Sequence, residues 1–291
     1  GVMPSRRQLK SRIRSVKNTK QITKAMQMVA ASKMRRAQEA TKLTTPYTDT
    51  ALAILANLAK RGETKDHPLF ESREVKSRLL IVVASDKGLA GAYNTNVSKQ
   101  YIRELMADDK AGIRTKTIAI GRKVTAFATR LKDAELVGAY DDLPDQLEGH
   151  ELRAALDSAY KLFTEGDVDA VDMVYTDFVS SISQVAKTER LLPAGSVNVS
   201  ESEELNEEAL FEPDAEAVLT SVVYRLVNAQ LFQAFLDARA SEHSMRMIAM
   251  KNATDNASDL IDDLTLAMNK ARQSAITQEL AEISGGAEAM K

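Results

Sequence analysis

The stretch that decides the fold is Asp214–Ser284, in the last third of the chain, which reads DAEAVLTSVVYRLVNAQLFQAFLDARASEHSMRMIAMKNATDNASDLIDDLTLAMNKARQSAITQELAEIS. Proline and glycine, the residues that most often interrupt a helix, are absent from its 71 residues. Pro213, with acids on either side, is typical of a helix start. The pair Gly285-Gly286 predicts the end. The sequence therefore predicts one helix far longer than the roughly 8–20 residues usual in globular proteins.

Apolar residues recur along this stretch at helical spacing, which indicates a buried face. They are Leu219, Val222, Val223, Leu226, Leu231, Phe235, Ile261, Leu264, Met268 and Ile283. At about 1.5 Å per residue the helix is on the order of 100 Å long, more than a domain of ordinary diameter can enclose. We therefore expect a second helix or a partner protein to cover this face.

The N-terminal residues predict that second helix. Ser5 and Gln8 have the spacing of a capping box, in which each side chain binds the other residue's backbone N–H. Two apolar seams follow, offset by one residue as in a straight helix whose period drifts against a strict heptad. The first seam is Leu9, Ile13 and Val16, and the second is Ile22, Met26 and Val29. Pro46 is expected to kink or end the helix, and Tyr47–Lys60 is helical again.

The middle of the chain alternates between strands and helices. Leu79–Ala84 is apolar on both faces, the signature of a buried strand. Further strands are predicted at Lys116–Ile120, Ala170–Phe178 and Gln184–Leu192, with helices at Asn94–Met106, 122–131 and Leu147–Phe163. The last strand alternates like an exposed or antiparallel edge strand. This order predicts a small α/β domain with a largely parallel sheet, inserted between two terminal helices.

These patterns divide the chain into five segments. They are an N-terminal helix over 1–60, a linker over 61–77, the α/β domain over 78–199, an acidic segment over 200–213 and a C-terminal helix over 214–291.

Charge is distributed unevenly, although the formal net charge is only −2. Residues 1–42 carry twelve lysines and arginines against the single acid Glu39, and residues 201–216 carry eight acids and no base. Such separation indicates surfaces that meet different partners.

The chain has no cysteine, which excludes disulfides and thiol chemistry, and its longest strongly apolar run is too short to span a bilayer. We therefore expect an intracellular, soluble protein that reaches a membrane only through other proteins.

No group of residues predicts catalysis. The turn Asp86–Gly91 lies between a strand and a helix, but it lacks the glycine-lysine-serine/threonine ending of a P-loop and the dinucleotide fingerprint. A tight structural turn is the favoured interpretation. The isolated His67, His150 and His243 have no metal-ligand spacing. Asp86, Asp141 and Asp142 form a candidate carboxylate group without an accompanying nucleophile or base. We predict no catalytic, cofactor or metal site.

The basic N-terminal helix has three interpretations beyond an ordinary solvated face. A nucleic-acid binder would use its bases on phosphates, but aromatic interleaving and a recognition fold are absent. A targeting peptide would be Arg-rich and acid-poor, but the apolar seams here continue into a much longer helix. As a coiled-coil partner, the helix would carry its bases on the outside, facing acidic neighbours.

Three stretches resemble the gamma subunits of F-type ATP synthases of bacterial type. They are Ser11–Arg35 (SRIRSVKNTKQITKAMQMVAASKMR), Ser85–Asn94 (SDKGLAGAYN) and Ser241–Ala287 (SEHSMRMIAM through AEISGGA), and the middle of the chain matches by pattern. The resemblance implies that the terminal helices form an antiparallel coiled coil and that the inserted domain is Rossmann-like. It also implies a rotor shaft, one copy per complex, inside a ring of three alpha and three beta subunits. Rotation then drives the beta catalytic sites through their conformations for ATP synthesis, reversibly with hydrolysis.

The same resemblance implies partners and a location. The inserted domain would bind the epsilon subunit and the c-ring at the cytoplasmic face of the bacterial plasma membrane. The nucleotide chemistry would belong to alpha and beta, so this chain would need no cofactor. The turn often has cysteine where this chain has Ala90, and no cysteine-bearing insertion is present, so redox switching of the chloroplast type is not expected.

Contact residues follow by match to the family. Contacts with alpha and beta subunits are expected at Lys24, Met26, Arg35, Arg36, Arg246, Gln273, Thr277 and Glu279. An apolar bearing tip is expected at Leu280, Ile283, Ala287 and Met290, and the foot toward the c-ring and epsilon at Leu210, Phe211 and Glu212. The terminal Lys291 is expected to reach solvent or to be disordered, because enclosing its charge would be costly.

Two other hypotheses stay open at this point. A DNA-binding or architectural coiled coil would use the basic helix and the long rod, and would pair two chains rather than the two ends of one chain. An enzyme that binds a nucleotide at Asp86–Gly91 is the third hypothesis.

Overall fold

The computed structural model describes residues 2–61, 64, 66–195 and 215–290. Its two longest elements are the helices α1, Arg6–Lys60, and α5, Ala215–Ala289. Between them the described residues form a 3-10 turn at Pro68–Phe70, five strands and three helices. The strands are β1 (Ser77–Val83), β2 (Arg114–Ile120), β3 (Glu135–Tyr140), β4 (Ala170–Ser180) and β5 (Ser183–Leu192), and the helices are α2 (Tyr93–Ala111), α3 (Arg122–Thr129) and α4 (Arg153–Thr164).

The chain divides into two compact units, and α1 and α5 contribute to both. The helical unit consists of Gly1–Ala30 and Arg246–Lys291. The α/β unit consists of Ala31–Met245. An α/β fold between long terminal helices is therefore confirmed. In the part of the chain described, no helix is long and apolar enough to cross a membrane.

The sheet of the α/β unit has the strand order β3-β2-β1-β4-β5. Strands β1, β2, β3 and β4 are parallel, and β5 pairs antiparallel with β4. The predicted parallel sheet with an antiparallel edge is thus confirmed. The sequence analysis missed β3, which is a half-exposed edge strand with Gly138 and Ala139 in its second half. Neither residue favours a strand, so no apolar run marks it.

Both faces of the sheet are buried, which explains the continuous apolar sequence of β1. Leu79, Ile81 and Val83 face a core shared with α4, the end of α1 and the beginning of α5. Leu80 and Val82 face the opposite core, against α2 and α3. The α/β unit therefore has three layers, and the two long helices form part of one of them.

Two predicted helix ends, at Pro46 and at Gly285-Gly286, are wrong. Pro46 lies inside α1, which continues to Lys60. The turns after Pro46 bury Ala51, Leu55 and Leu58, and this packing outweighs the backbone hydrogen bond that proline cannot make. The helix α5 likewise runs through Gly285 and Gly286 to Ala289. Neither glycine has the positive φ with which glycine terminates a helix.

A buried ionic network joins α2 to the sheet. Arg78 on β1 is 8% exposed, and its guanidinium lies 2.9 Å from carboxylate oxygens of both Asp108 and Asp172. It also lies 2.7 Å from a carboxylate oxygen of Glu104. Asp108 accepts a further hydrogen bond of 2.7 Å from the hydroxyl of Thr115 on β2. Charges taken this far from water are tolerated only while each keeps its partner.

Replacing Arg78 by methionine should therefore destabilise the chain, because Asp108 would stay buried without its counter-ion and Asp172 would keep only Arg190. We expect a loss of about 3–5 kcal/mol in the free energy of unfolding, measured by urea denaturation. The matched control is Arg114→Met on the neighbouring strand, where the arginine is exposed. Equal effects of the two substitutions would contradict a structural role for the buried network.

Candidate partner-binding surface

In the helical unit, the two ends of the chain pair with each other. On α1 the buried positions begin at Leu9, and on α5 partial burial continues as far as Ala271. Between these limits the hydroxyls of Thr23 and Thr254 share a buried hydrogen bond of 2.7 Å. Thr23 lies 14 residues after Leu9 and Thr254 lies 17 residues before Ala271, so the start of α1 meets the later part of α5, as in an antiparallel pair. The predicted antiparallel pairing is thereby confirmed.

The first predicted seam on α1 is confirmed, since Leu9 and Ile13 are buried and Val16 is half-buried, but the second differs from the prediction. Leu9, Thr23 and Ala30 are buried and Val16 is half-buried, so the inward positions recur every seven residues without an offset. Such strict spacing is typical of a wound coiled coil, not of a straight helix. Ile22 and Val29 each lie one residue from this seam and are 60% and 54% exposed. The second predicted seam was therefore wrong for Ile22 and Val29, since threonine and alanine occupy the close contact.

The last turns of α5 have no cover within the described residues. Every position from Arg272 to Met290 is exposed, including the large apolar side chains of Ile276, Leu280 and Ile283. An exposed apolar helix end of this kind indicates a surface that a partner covers.

The structure places the predicted contact residues in different environments. Lys24, Arg35, Arg36, Gln273, Thr277 and Glu279 are exposed, as are Ala287 and Met290, whereas Met26 and Arg246 are half-buried. Arg35 and Arg36 belong to the α/β unit, and the others belong to the helical unit. The predicted foot residues Leu210, Phe211 and Glu212 lie outside the described residues, and so does Lys291.

The turn Asp86–Gly91 is built around one carboxylate. Asp86 accepts hydrogen bonds of 3.0 Å from the backbone N–H of Arg122, the first residue of α3, and from that of Asp142. Asp141 lies 3.1 Å from the Arg122 guanidinium. The three aspartates named from the sequence are therefore brought together, and Asp86 ties the turn to the beginning of α3 and to the segment after β3. The arrangement closes the edge of the sheet and favours the structural interpretation of the turn.

Asp86→Ala should loosen this edge, because two backbone N–H groups lose their acceptor. We expect the free energy of unfolding to fall by about 1–3 kcal/mol in urea denaturation. The neighbouring Asp141→Ala removes only a surface ion pair and should change stability much less. A turn with a nucleotide-binding role would instead show nucleotide affinity in the native chain that Asp86→Ala alters without destabilising the fold.

Two of the three histidines have structural surroundings, whereas His150 is exposed. His67 accepts a hydrogen bond of 3.2 Å from the backbone N–H of Leu69, and its other ring nitrogen lies 3.0 Å from the Thr220 hydroxyl. His243 is buried. The described residues contain no group of three side chains able to hold a metal ion.

Comparison with known proteins now gives the family. A family model described as ATP synthase matches residues 5–290. The ATP synthase gamma chain of Stenotrophomonas maltophilia is 39% identical over 99% of this chain and all of its own length. That of Cupriavidus pinatubonensis is 40% identical with the same coverage. This chain belongs to the ATP synthase gamma-chain family.

Solved structures share the fold of this chain. A chain in the central stalk and c-ring structure of the Tetrahymena thermophila mitochondrial ATP synthase is 26% identical, with a TM-score of 0.59, and the match covers 80% of this chain and 99% of that one. A chain of the Euglena gracilis mitochondrial ATP synthase, in its OSCP/F1/c-ring structure, shares the fold with a TM-score of 0.69 at 19% identity, over 98% of this chain and 94% of that one.

Gamma-chain membership and the pairing of the two ends of one chain do not favour the DNA-binding hypothesis, which required pairing between two chains.

The outward-facing Ile22 and Val29 are surface residues that the sequence analysis assigned to the wrong face. Their outward orientation could have been predicted from the seven-residue spacing of Leu9, Val16, Thr23 and Ala30. That would have required accepting threonine and alanine as seam residues.

Proposed function

We propose that this chain is the central rotor shaft of an F-type ATP synthase, which couples rotation of a c-ring to conformational cycling of the beta subunits. The observation that supports this most directly is the antiparallel pairing of its two ends, in a chain that matches gamma chains over its whole length. Rotation would drive ATP synthesis, and ATP hydrolysis would drive the rotation backwards. The catalytic sites would lie on the beta subunits, so this chain acts on their conformations without a catalytic site or cofactor of its own.

The surface of the helical unit suits such a contact. Ile22 and Val29 present apolar side chains outward, with Lys24 exposed and Met26 half-buried between them. Flexible methionines and scattered apolar side chains adapt to changing partners better than a deeply interlocked seam does. A turning shaft must bias each of three identical beta subunits differently, which requires contact energies that change with its orientation. Arg35, Arg36 and Arg246 would add electrostatic contacts to the same set.

The exposed end of α5 would be the bearing. Gln273, Thr277 and Glu279 would meet the alpha and beta subunits, and Leu280, Ile283, Ala287 and Met290 would enter an apolar sleeve at the top of the ring. The 60% and 67% exposure of Leu280 and Ile283 leaves apolar surface for such a sleeve to bury. Lys291 would remain in solvent.

The remaining contacts would place the protein at a membrane without crossing it. Leu210, Phe211 and Glu212 would form the foot on the c-ring and the epsilon subunit. One copy of the chain, with three alpha and three beta subunits, would then lie at the cytoplasmic face of a bacterial plasma membrane, peripheral through the complex.

Reconstitution with alpha and beta subunits tests the proposal. We expect an assembly whose mass contains one copy of this chain per three alpha and three beta subunits, with ATPase activity that depends on the terminal helices. A variant that ends at Ala271 keeps the paired part of α5 and removes the uncovered part, so it should assemble less tightly or turn over more slowly. A stable homodimer that ignores alpha and beta but binds DNA in a salt-dependent manner would overturn the rotor assignment.

The outward apolar surface has its own test. Ile22→Ser combined with Val29→Ser should lower the affinity for the alpha–beta ring and the ATPase rate by roughly tenfold or more, because each lost apolar contact is worth about 1 kcal/mol or more. The thermal stability of the isolated chain should hardly change, since both side chains face solvent. The matched control replaces Met106 and Val137, exposed apolar residues of the α/β unit, by serine. Unchanged assembly in the Ile22/Val29 variant would refute this contact surface.

A further inference from the structure

A cavity of about 340 Å³ lies in the α/β unit, where α1 and α5 pack against the β4–β5 hairpin. Four carboxylates and one lysine line it, contributed by every element around it. They are Asp49 of α1, Asp177 of β4, Lys187 and Glu189 of β5, and Asp237 of α5. With all four acids ionised, the cavity would carry an excess of negative charge in a partly buried place, which is unfavourable.

The lysine is committed to two of these acids. Its Nζ lies 3.6 Å from a carboxylate oxygen of Asp177 and 3.8 Å from one of Glu189. Glu189 also accepts hydrogen bonds from the Tyr175 hydroxyl at 2.7 Å and from the Gln230 amide at 3.2 Å. Burial raises the pKa of Tyr175, so this phenol remains a donor.

A negative charge on Asp237 would be compensated much more weakly than the charges of Asp177 and Glu189. Within the described residues Asp237 forms no ion pair, and its side-chain partner is the amide of Gln233, one helical turn earlier on α5. Its carboxyl group is partly buried and faces the negative charges of Asp177 and Glu189. Ionisation of Asp237 is therefore opposed both by desolvation and by like-charge repulsion.

We propose that this cavity is a proton-binding site, in which Asp237 carries a proton in the folded chain and its ionisation loosens α5 from the β4–β5 hairpin, which carries the facing Asp177 and Glu189. Burial raises the pKa of Asp237 to about 7, with a further contribution from Asp177, while Gln233 and Lys187 act in the opposite direction. An ordinary carboxyl group is fully ionised near neutral pH, whereas this one is half-protonated there. The proton exchanges with solvent, and no other bond changes.

Gln233 connects the proton to α1. Its side-chain oxygen accepts hydrogen bonds from the hydroxyls of Thr44 at 2.5 Å and Thr48 at 3.4 Å, and its amide nitrogen donates to Thr45 at 3.3 Å. An amide nitrogen has two N–H groups, so the Gln233 amide donates to Thr45 and to the Asp237 carboxyl group together. Gln233 thus links the carboxyl group of Asp237 to three threonines of α1.

The sign of the pH dependence follows from linkage. Because the pKa of Asp237 is about 7 in the folded chain and near its ordinary 3.8 in the unfolded chain, protonation favours folding. This stabilisation is greatest below the unfolded value and is lost as the pH rises through about 7. Between about pH 5 and about pH 8, this site alone should raise the unfolding equilibrium constant on the order of a hundredfold.

The first experiment compares urea denaturation of the full chain with that of Asp237→Asn at both pH values. The asparagine mimics the neutral acid, so the unfolding equilibrium constant of the variant should lack the hundredfold rise between the two pH values. The variant should therefore be more stable than the native chain at the higher pH. The matched control, Asp262→Asn, changes an exposed aspartate of the same helix and should keep the native pH dependence. A variant Asp237→Asn with the native pH dependence would overturn the proposal.

A second measurement does not require that variant to fold. Carboxyl carbon NMR of the full chain should show one aspartate with a midpoint near 7, and Asp177→Asn should move that midpoint to lower pH by removing a facing charge. Amide hydrogen exchange at the higher pH should also be slower in residues 230–240 of Asp237→Asn than in the native chain. If every aspartate titrates near 4, the cavity binds no proton near neutrality and the proposal fails.

Discussion

The structure depends on covering the apolar face of one helix, α5. Its first turns bury Val223, Leu231 and Phe235 against the sheet of the α/β unit. In the helical unit its cover is α1, with Met250, Thr254 and Ala257 buried. Because long helices gain little stability from intrinsic propensity, these covered parts must hold the helix together. Beyond Ala271 no described residue covers α5. This uncovered segment is the part of the helix that would enter the sleeve of the alpha–beta ring.

The two units use different kinds of contact. The α/β unit is organised around a fully buried strand, β1, and around charges such as Arg78 that are fixed by several partners each. The helical unit instead has a narrow seam that includes small and polar residues, and apolar side chains on its outside. A contact made by scattered outward side chains can break and re-form more readily than an interlocked core. This contrast fits a protein whose α/β unit keeps its internal contacts while the surface of its helical unit contacts different partner subunits in turn.

Local signals predicted the fold well where one residue pattern had one meaning. The capping box is present as expected, with Ser5 and Gln8 each accepting a hydrogen bond from the other's backbone N–H, and the apolar run of β1 gave a buried strand. The sequence was misleading where packing decided the outcome. Thr23 and Ala30 occupy the seam because small residues let helices approach, and hydrophobicity alone favoured Ile22 and Val29 instead. The proton site was invisible for a similar reason, since Asp177 and Asp237 meet only when α5 reaches the hairpin.

The hydrogen bond between Thr23 and Thr254 joins residues 231 positions apart in sequence. During synthesis, α1 leaves the ribosome long before its partner exists, and at about 5–20 residues per second the wait is roughly 10–50 seconds. Throughout that time Leu9, Ile13 and Ala30 remain uncovered. The α/β unit also needs α5, because Val223 and Phe235 complete its core. Folding of this chain is therefore deferred until translation is nearly complete, and its nascent N-terminal helix needs protection from association with other chains.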